Sequence, residues 1–249
     1  MTPLLAFAAI AVTVVVTSFI SGILGMAGGM ILMGVLLALM PVPAAMMLHG
    51  VTQMASNGWR AWLWRNEIEW RVMRGTVYGS LVVLAVFSVL QLVGSRPVVY
   101  VVLGLTPFVS FLLPKSLELN VDRRGHPLVC GVVCTVLALL SGVSGPLLDV
   151  FFLKSKMTRR QVVATKAISQ TFAHLLKILY FGVLLATSQG SVAWPFAAAM
   201  VLLAVIGTTL SRKVLDRMTD HDFRRWTRYT VTVIGGFYLC SGLWALAHG

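Results

Sequence analysis

The chain's 249 residues are 58% hydrophobic and only 11% charged, which excludes an ordinary water-soluble globular domain. The formal net charge is +12, but the basic residues lie in short connectors between apolar segments, a distribution that argues against a nucleic-acid partner. We therefore expect one domain embedded in a lipid bilayer.

Eight apolar segments follow one another along the chain, and a transmembrane helix needs about 20 such residues. Their approximate ranges are 4–39, 44–63, 72–93, 98–113, 127–153, 161–186, 192–210 and 227–247. The first is interrupted at residues 25–29 and the fifth at 141–146, where glycine, serine and proline favour backbone that leaves the helix. We expect both breaks near mid-membrane, with helices resuming at Met30 and Leu147.

The second half of the chain repeats the first at an offset of 117 positions. Without gaps, this shift places Gly25 on Gly142 and Gln53 on Gln170, and it also aligns the polar positions of the second and sixth segments. We interpret the pattern as an internal duplication. The predicted organisation is repeat one at 1–113, a cytoplasmic connector at 114–126 and repeat two at 127–249.

The basic connector residues indicate how the halves are oriented. If all eight segments crossed the membrane, lysine and arginine would show little bias between its faces. If each broken segment is instead a re-entrant hairpin, all of these residues except Arg96 fall on one face, which we take as cytoplasmic. Each half is then a broken hairpin plus three transmembrane helices. The predicted fold is an all-α membrane protein of two inverted repeats in the cell inner membrane.

The second and sixth segments each contain a polar stripe. In the sixth, four residues spaced four, four and three apart share one helical face: Lys166, Gln170, His174 and Lys177. Their counterparts in repeat one are His49, Gln53, Asn57 and Arg60. Ionisable groups inside a membrane are costly unless they pair or line a wet cavity, so we expect the stripes to meet and bind an anion. The alternative is that Arg60 and Lys177 reach the interface while the amides bridge helices.

The helices after the breaks are predicted to begin inside the membrane, with free N–H groups and positive dipole ends towards the midplane. Two such termini in inverted halves can hold an anionic group. The break residues that we add to the predicted binding site are Gly28, Gly29, Ser144 and Gly145. The alternative is close helix packing, which we prefer for Gly75 and Gly79.

Asp149 is the only acidic residue well inside an apolar segment, and pairing with Lys166, pairing with Lys177 and proton relay all remain open for it. We name Asp149, His174 and Lys177 as candidate coupling residues, because histidine titrates near neutral pH. The three cysteines lie in apolar runs without the spacing of a metal site. We expect neither a metal nor a cofactor.

The glycine-rich run at residues 22–29, the break at 141–146 and Ala164-Thr165-Lys166 together resemble the sulfite exporter TauE/SafE family. The likeness extends over essentially the whole chain. The resemblance implies an inner-membrane transporter of sulfite or sulfur-containing organic anions. Members of this family are often described as exporters. We expect alternating access around a mid-membrane site where Lys166 neutralises the anion.

Two other functions are weighed against an anion transporter. Residues 142–145 match the GxSG of rhomboid intramembrane proteases, with Ser144 as nucleophile and His174 as base. The duplication argues against a protease, because the position matched to Ser144 is Ala27. A passive anion channel is the other alternative. The predicted partners are a small anion and bilayer lipid, with no nucleic acid, and a homodimer is left open.

Overall fold

The computed structural model describes residues 3–24, 26–109, 119–185, 192–215, 217 and 220–248, and these ranges contain helices and no strand. The α-helices are α1 (Pro3–Leu24), α2 (Ala27–Leu39), α3 (Val42–Leu63), α4 (Trp70–Leu90), α5 (Arg96–Leu105), α6 (His126–Ser141), α7 (Gly145–Phe152), α8 (Arg159–Leu179), α9 (Trp194–Leu215) and α10 (Asp220–His248). A π-helical turn, Tyr180–Leu184, extends α8. The predicted all-α membrane fold is confirmed.

Five helices of the described ranges are long and apolar enough to cross a membrane, and they lie in α1, α4, α8 with its π-turn, α9 and α10. Helix α3 has 22 residues, which is a spanning length, but it is not among the five. The polar stripe of α3 lowers the mean hydropathy of this helix. The residues that were predicted to bind an anion therefore also make α3 harder to identify as a membrane-spanning helix.

The chain reverses at both predicted breaks. Gly28 of α2 packs against the backbone of Thr17 and Ser21 in α1, which requires α2 to fold back along α1. Likewise, the Val121 N–H, which precedes α6, donates to the Phe151 carbonyl of α7 at 3.1 Å. Each broken segment is therefore a helical hairpin. Helix α1 has 22 residues and is about 33 Å long. The predicted re-entrant segment, which reaches only mid-membrane, would need a shorter helix than this.

The predicted helix starts at Met30 and Leu147 were wrong. Helix α2 begins at Ala27 and α7 at Gly145, two or three residues earlier. The prediction placed the glycines outside the helices, whereas Gly28 and Gly29 lie in the first turn of α2. Small residues are useful there because they allow neighbouring groups to approach the backbone closely. Gly25 lies outside the described residues.

Helix packing follows the internal repeat. Matched helices pack on each other, α3 on α8 and α5 on α10, and α1 packs on α9 as α4 packs on α6. Gly50 lies beside Ile178 whereas Gly58 lies beside Thr171, so α3 and α8 run antiparallel. These contacts pair helices from the two halves of the chain.

Large apolar side chains are exposed on the outside of the bundle, while several ionisable side chains are buried inside it. Val89, Leu202 and Phe237 are 82%, 65% and 66% exposed, whereas His49 and Lys177 are 1% and 0% exposed. A soluble protein would not leave such large apolar side chains uncovered over several helices. This distribution fits a protein whose outer surface contacts lipid.

Three connectors meet at one end of the bundle. Asn120 donates from Nδ2 to the Lys154 carbonyl at 3.0 Å, and the Lys156 N–H donates to Asp122 at 2.7 Å. Glu69, just before α4, donates its N–H to Thr165 near the start of α8 at 2.9 Å. Three of the connectors that the sequence assigned to a single membrane face are therefore neighbours in the fold. Residues 114–118 of the predicted connector lie outside the described residues.

Candidate functional site

The site is built on the antiparallel pair α3 and α8. A capping box fixes the start of α8, because Thr158 accepts from the Gln161 N–H at 3.3 Å and the Gln161 side chain accepts from the Thr158 N–H at 2.9 Å. From that start, the spacing of the stripe turns Gln170 and His174 towards α3. The imidazole rings of His49 and His174 lie 5.5 Å apart between centroids.

A small cavity of about 20 Å³ lies where the two stripes meet the two breaks. It is lined by Met26, Gly29, His49, Gln53, Asn57, Val143, Ser144, Gln170 and His174. Both halves of the chain contribute, each with one helix and one break. A cavity of this size holds about one water molecule.

Seven of the ten predicted binding residues line this cavity: Gly29, His49, Gln53, Asn57, Ser144, Gln170 and His174. Gly28 does not line it, because its α-carbon packs on α1. Gly145 lies at the cavity's edge, where an added Cβ would be 3.3 Å from Gln170 Nε2. Met26 and Val143 were not predicted, because an apolar residue beside a break has no polar signature that marks it as a lining residue.

Two buried polar atoms of the cavity wall have no hydrogen-bond partner among the described residues. They are Gln53 Nε2 and His174 Nδ1, on side chains from opposite halves. Leaving such a group unpaired costs about 1–3 kcal/mol, so an unpaired pair in one cavity calls for an explanation. An amide N–H₂ is a donor, and an imidazole Nδ1 is a donor in the tautomer that carries its hydrogen there, so in that tautomer both atoms suit an anion's oxygens.

Asn57 contributes less than the sequence predicted. Its Nδ2 already donates to the Gln53 carbonyl of its own helix at 2.9 Å. That bond takes one of the two amide hydrogens and leaves the second available to the cavity. The polar atoms of the cavity wall that have no partner are therefore Gln53 Nε2 and His174 Nδ1.

A hydrogen-bonded network links the two breaks through Lys177 and His49. Lys177 Nζ lies 2.7 Å from His49 Nδ1 and donates to the Gly142 carbonyl at 3.0 Å. His49 Nε2 lies 2.9 Å from the Gly29 carbonyl. Because that carbonyl can only accept, Nε2 carries the hydrogen and Nδ1 is left to accept from Lys177. Lys177 is fully buried and does not reach the interface.

At the other end of the stripes, Lys166 forms an ion pair with Asp149 of α7. Of the two lysines that the sequence offered as partners for Asp149, the contact is with Lys166. Arg60, which the 117-residue offset matches to Lys177, donates to the Ser21 carbonyl of α1 at 3.0 Å. Lys166, the cation that the sequence predicted at the centre of the site, does not line the cavity and pairs with a carboxylate instead.

Ser144 and His174 line the same cavity but form no hydrogen bond with each other among the described residues. A serine protease dyad needs its base within hydrogen-bond reach of the nucleophile. The geometry therefore offers no support for the protease alternative.

Comparison with known proteins gives one match. The family model described as "Sulfite exporter TauE/SafE" matches residues 9–238. No curated protein and no solved structure matches the chain. The matched range includes both breaks, both polar stripes and all nine residues that line the cavity.

Proposed function

Because the chain belongs to the sulfite exporter TauE/SafE family and is a membrane transporter rather than an enzyme, we propose that it carries sulfite or an organosulfonate through the cavity between α3 and α8. One observation supports this most strongly. Gln53 Nε2 and His174 Nδ1 are unpaired buried atoms in the wall of a cavity that both helix breaks line. In the tautomer that carries its hydrogen on Nδ1, His174 is a donor like Gln53, and an anion with several oxygens accepts from both.

The size of the cavity supports a mechanism in which the halves move. Sulfite has four heavy atoms, whereas about 20 Å³ accommodates a single water molecule. We infer that the anion binds when the walls of the cavity separate. Because each half supplies one helix and one break, rocking one half against the other widens the cavity.

The inverted arrangement of the repeats is part of the same proposal. Antiparallel packing of the matched helices α3 and α8 supports it, as does the clustering of the basic connectors at one end of the bundle. The excess of lysine and arginine at that end favours the cytoplasmic side of a bacterial-type inner membrane.

Transport by purified protein in liposomes tests the proposal. Labelled sulfite should enter protein-containing vesicles faster than empty ones, and unlabelled sulfite or organosulfonate inside should accelerate that entry. Acceleration distinguishes a carrier from a passive channel, in which entry does not depend on substrate on the opposite side. Entry equal to that of empty vesicles for every sulfur oxyanion tried would contradict the proposal.

Gln53→Leu in the same assay links transport to the cavity. The side chain loses its donor and keeps most of its volume, so the apparent affinity should fall about tenfold or more, as expected for a hydrogen bond to a charged group. Thr52→Val is the matched control, since Thr52 bonds to its own helix at the Leu48 carbonyl and does not line the cavity. Equal affinities in the two variants would place the anion elsewhere.

A further inference from the structure

The ion pair with Asp149 engages Lys166, one of the two lysines of the α8 stripe. Lys166 is one helical turn before Gln170, which lines the cavity, and the two share a face of α8. The side chains of Lys166 and Asp149 are 24% and 37% exposed, so this end of the stripe is only partly covered by protein. The other end, at Lys177, is sealed.

The lysines at the two ends of the stripe have chemically different partners. Lys177 contacts an imidazole and a carbonyl, neither of which bears a negative charge in the assigned tautomer. Lys166 instead contacts a carboxylate, which has the same charge and similar oxygens to a transported anion. Asp149 thus occupies the position on Lys166 that a substrate anion would take.

We propose that Asp149 is an internal counter-ion that competes with the transported anion for Lys166, and that a proton from solvent on the Asp149 carboxyl releases Lys166 to the anion. This inference rests on the proposed anion transport. The released ammonium then lies a turn from Gln170, and the anion and one proton bind together. When the anion leaves, Asp149 loses the proton and pairs with Lys166 again.

The charged neighbours of the pair favour this assignment. Arg60 of α3 is close enough to Lys166 to repel its positive charge, and this repulsion increases the need for a negative partner. The helix α6, which packs on α7, places Cys130 and Cys134 in an apolar cluster with Leu147 and Leu148. The short 3₁₀ turn Thr106–Phe108, which also contacts α7, has no ionisable side chain. On α8, His174 lies two turns beyond Lys166, within the cavity wall.

The consequence is a defined pH dependence of anion binding. The anion-free form has an ionised Asp149, and the anion-bound form has a protonated one, so binding takes up a proton. Affinity should therefore rise as the pH falls, by up to about tenfold per pH unit. At high pH, the Asp149 carboxylate competes with the anion, and binding weakens.

Isothermal calorimetry on the purified protein measures both the affinity and the protons taken up. Isethionate is the probe, because its sulfonate stays ionised between about pH 6 and pH 8, whereas sulfite itself titrates in this range. Titration in two buffers of different ionisation enthalpy should give about one proton bound per isethionate. An uptake of zero in the wild-type protein would overturn the inference without affecting the proposed transport.

Asp149→Asn removes the competing charge and should bind isethionate at about pH 8 at least tenfold more tightly than the wild type, with little proton uptake and little pH dependence. Asp122→Asn is the matched control, because Asp122 forms an ion pair with Arg71 outside the cavity. It should keep the wild-type affinity and proton uptake. Unchanged or weaker binding by Asp149→Asn, or a full proton uptake in it, would overturn the inference.

The double variant Asp149→Asn with Lys166→Met separates loss of binding from loss of folding. It leaves no unpaired charge, so the protein should remain folded while isethionate binding falls at least tenfold below that of Asp149→Asn alone. Equal binding in these two variants would exclude Lys166 as the anion's partner. If the wild-type protein binds no sulfur oxyanion in this assay or in liposomes, the proposed function itself fails.

Discussion

Lys177 shows how a fully buried amino group is accommodated without a carboxylate. Its Nζ is shared between His49 and the Gly142 carbonyl, and His49 in turn donates to Gly29. The network joins the first break to the second across the α3–α8 contact. Removing any one of these groups leaves the buried polar atom of its partner without a hydrogen bond, which costs about 1–3 kcal/mol.

Because the network acts as one unit, Lys177→Met and His49→Ala should not be additive. Each single variant should lower the melting temperature in detergent, and the double variant should be little worse than the worse single one. The coupling expected for residues in one network is about 0.5–3 kcal/mol. Thermal unfolding of the three variants and the wild type gives the comparison. Simple addition of the two losses would show that the residues act independently.

The residue types of the site were predictable, but their pairing was not. Spacing along α3 and α8 was enough to place His49, Gln53, Gln170 and His174 on facing surfaces. The partner of Asp149 could not be predicted from spacing, because Lys166 and Lys177 are three turns apart on one helix and only the position of α7 decides between them. The unpaired state of Gln53 Nε2 likewise depends on every neighbouring group at once.

Glycines determine how closely the helices of the bundle approach. Gly79 of α4 lies against the backbone of α6, and an added Cβ would contact the Leu128 carbonyl and come within 2.9 Å of the Val132 nitrogen. A backbone atom cannot move aside as the end of a side chain can. The packing role preferred for Gly79 from the sequence agrees with this geometry.

Gly79→Ala should therefore destabilise the protein, while Gly236→Ala should not. In α10, a Cβ on Gly236 meets no atom within 4 Å, and alanine is intrinsically more favourable in a helix by about 1 kcal/mol. Melting temperatures in detergent compare the two variants under identical conditions. A loss in Gly236→Ala as large as that in Gly79→Ala would mean that backbone contact is not the cause.

The order and type of the helices were predictable because apolar runs and breaks are local signals. The helix starts after the breaks were less so, since glycine is compatible with both helix and turn, and packing against α1 decided that Gly28 is helical. The π-turn Tyr180–Leu184 had no sequence signal that we recognised.

The inverted arrangement that we propose for the two halves makes a prediction about membrane topology. Residues 65–69, 120–125 and 154–158 lie at one end of the bundle, whereas Arg96 donates to the Met40 carbonyl at 3.2 Å in a different connector region. Cysteines introduced at exposed Arg65 and Lys154 should both react with an impermeant thiol reagent from the cytoplasmic side only. A cysteine at position 96 should react only from the opposite side. Labelling of positions 65 and 154 from different sides would contradict the inverted arrangement.

The most direct test of the anion site is the position of a bound anion. Selenite has the shape and charge of sulfite, and its selenium gives an anomalous signal in X-ray diffraction. Crystals of the protein grown with selenite should show one strong anomalous peak per chain between the two breaks, with its oxygens within hydrogen-bond distance of Gln53 and His174. A strong peak elsewhere in the bundle, with the cavity between α3 and α8 empty, would contradict the account.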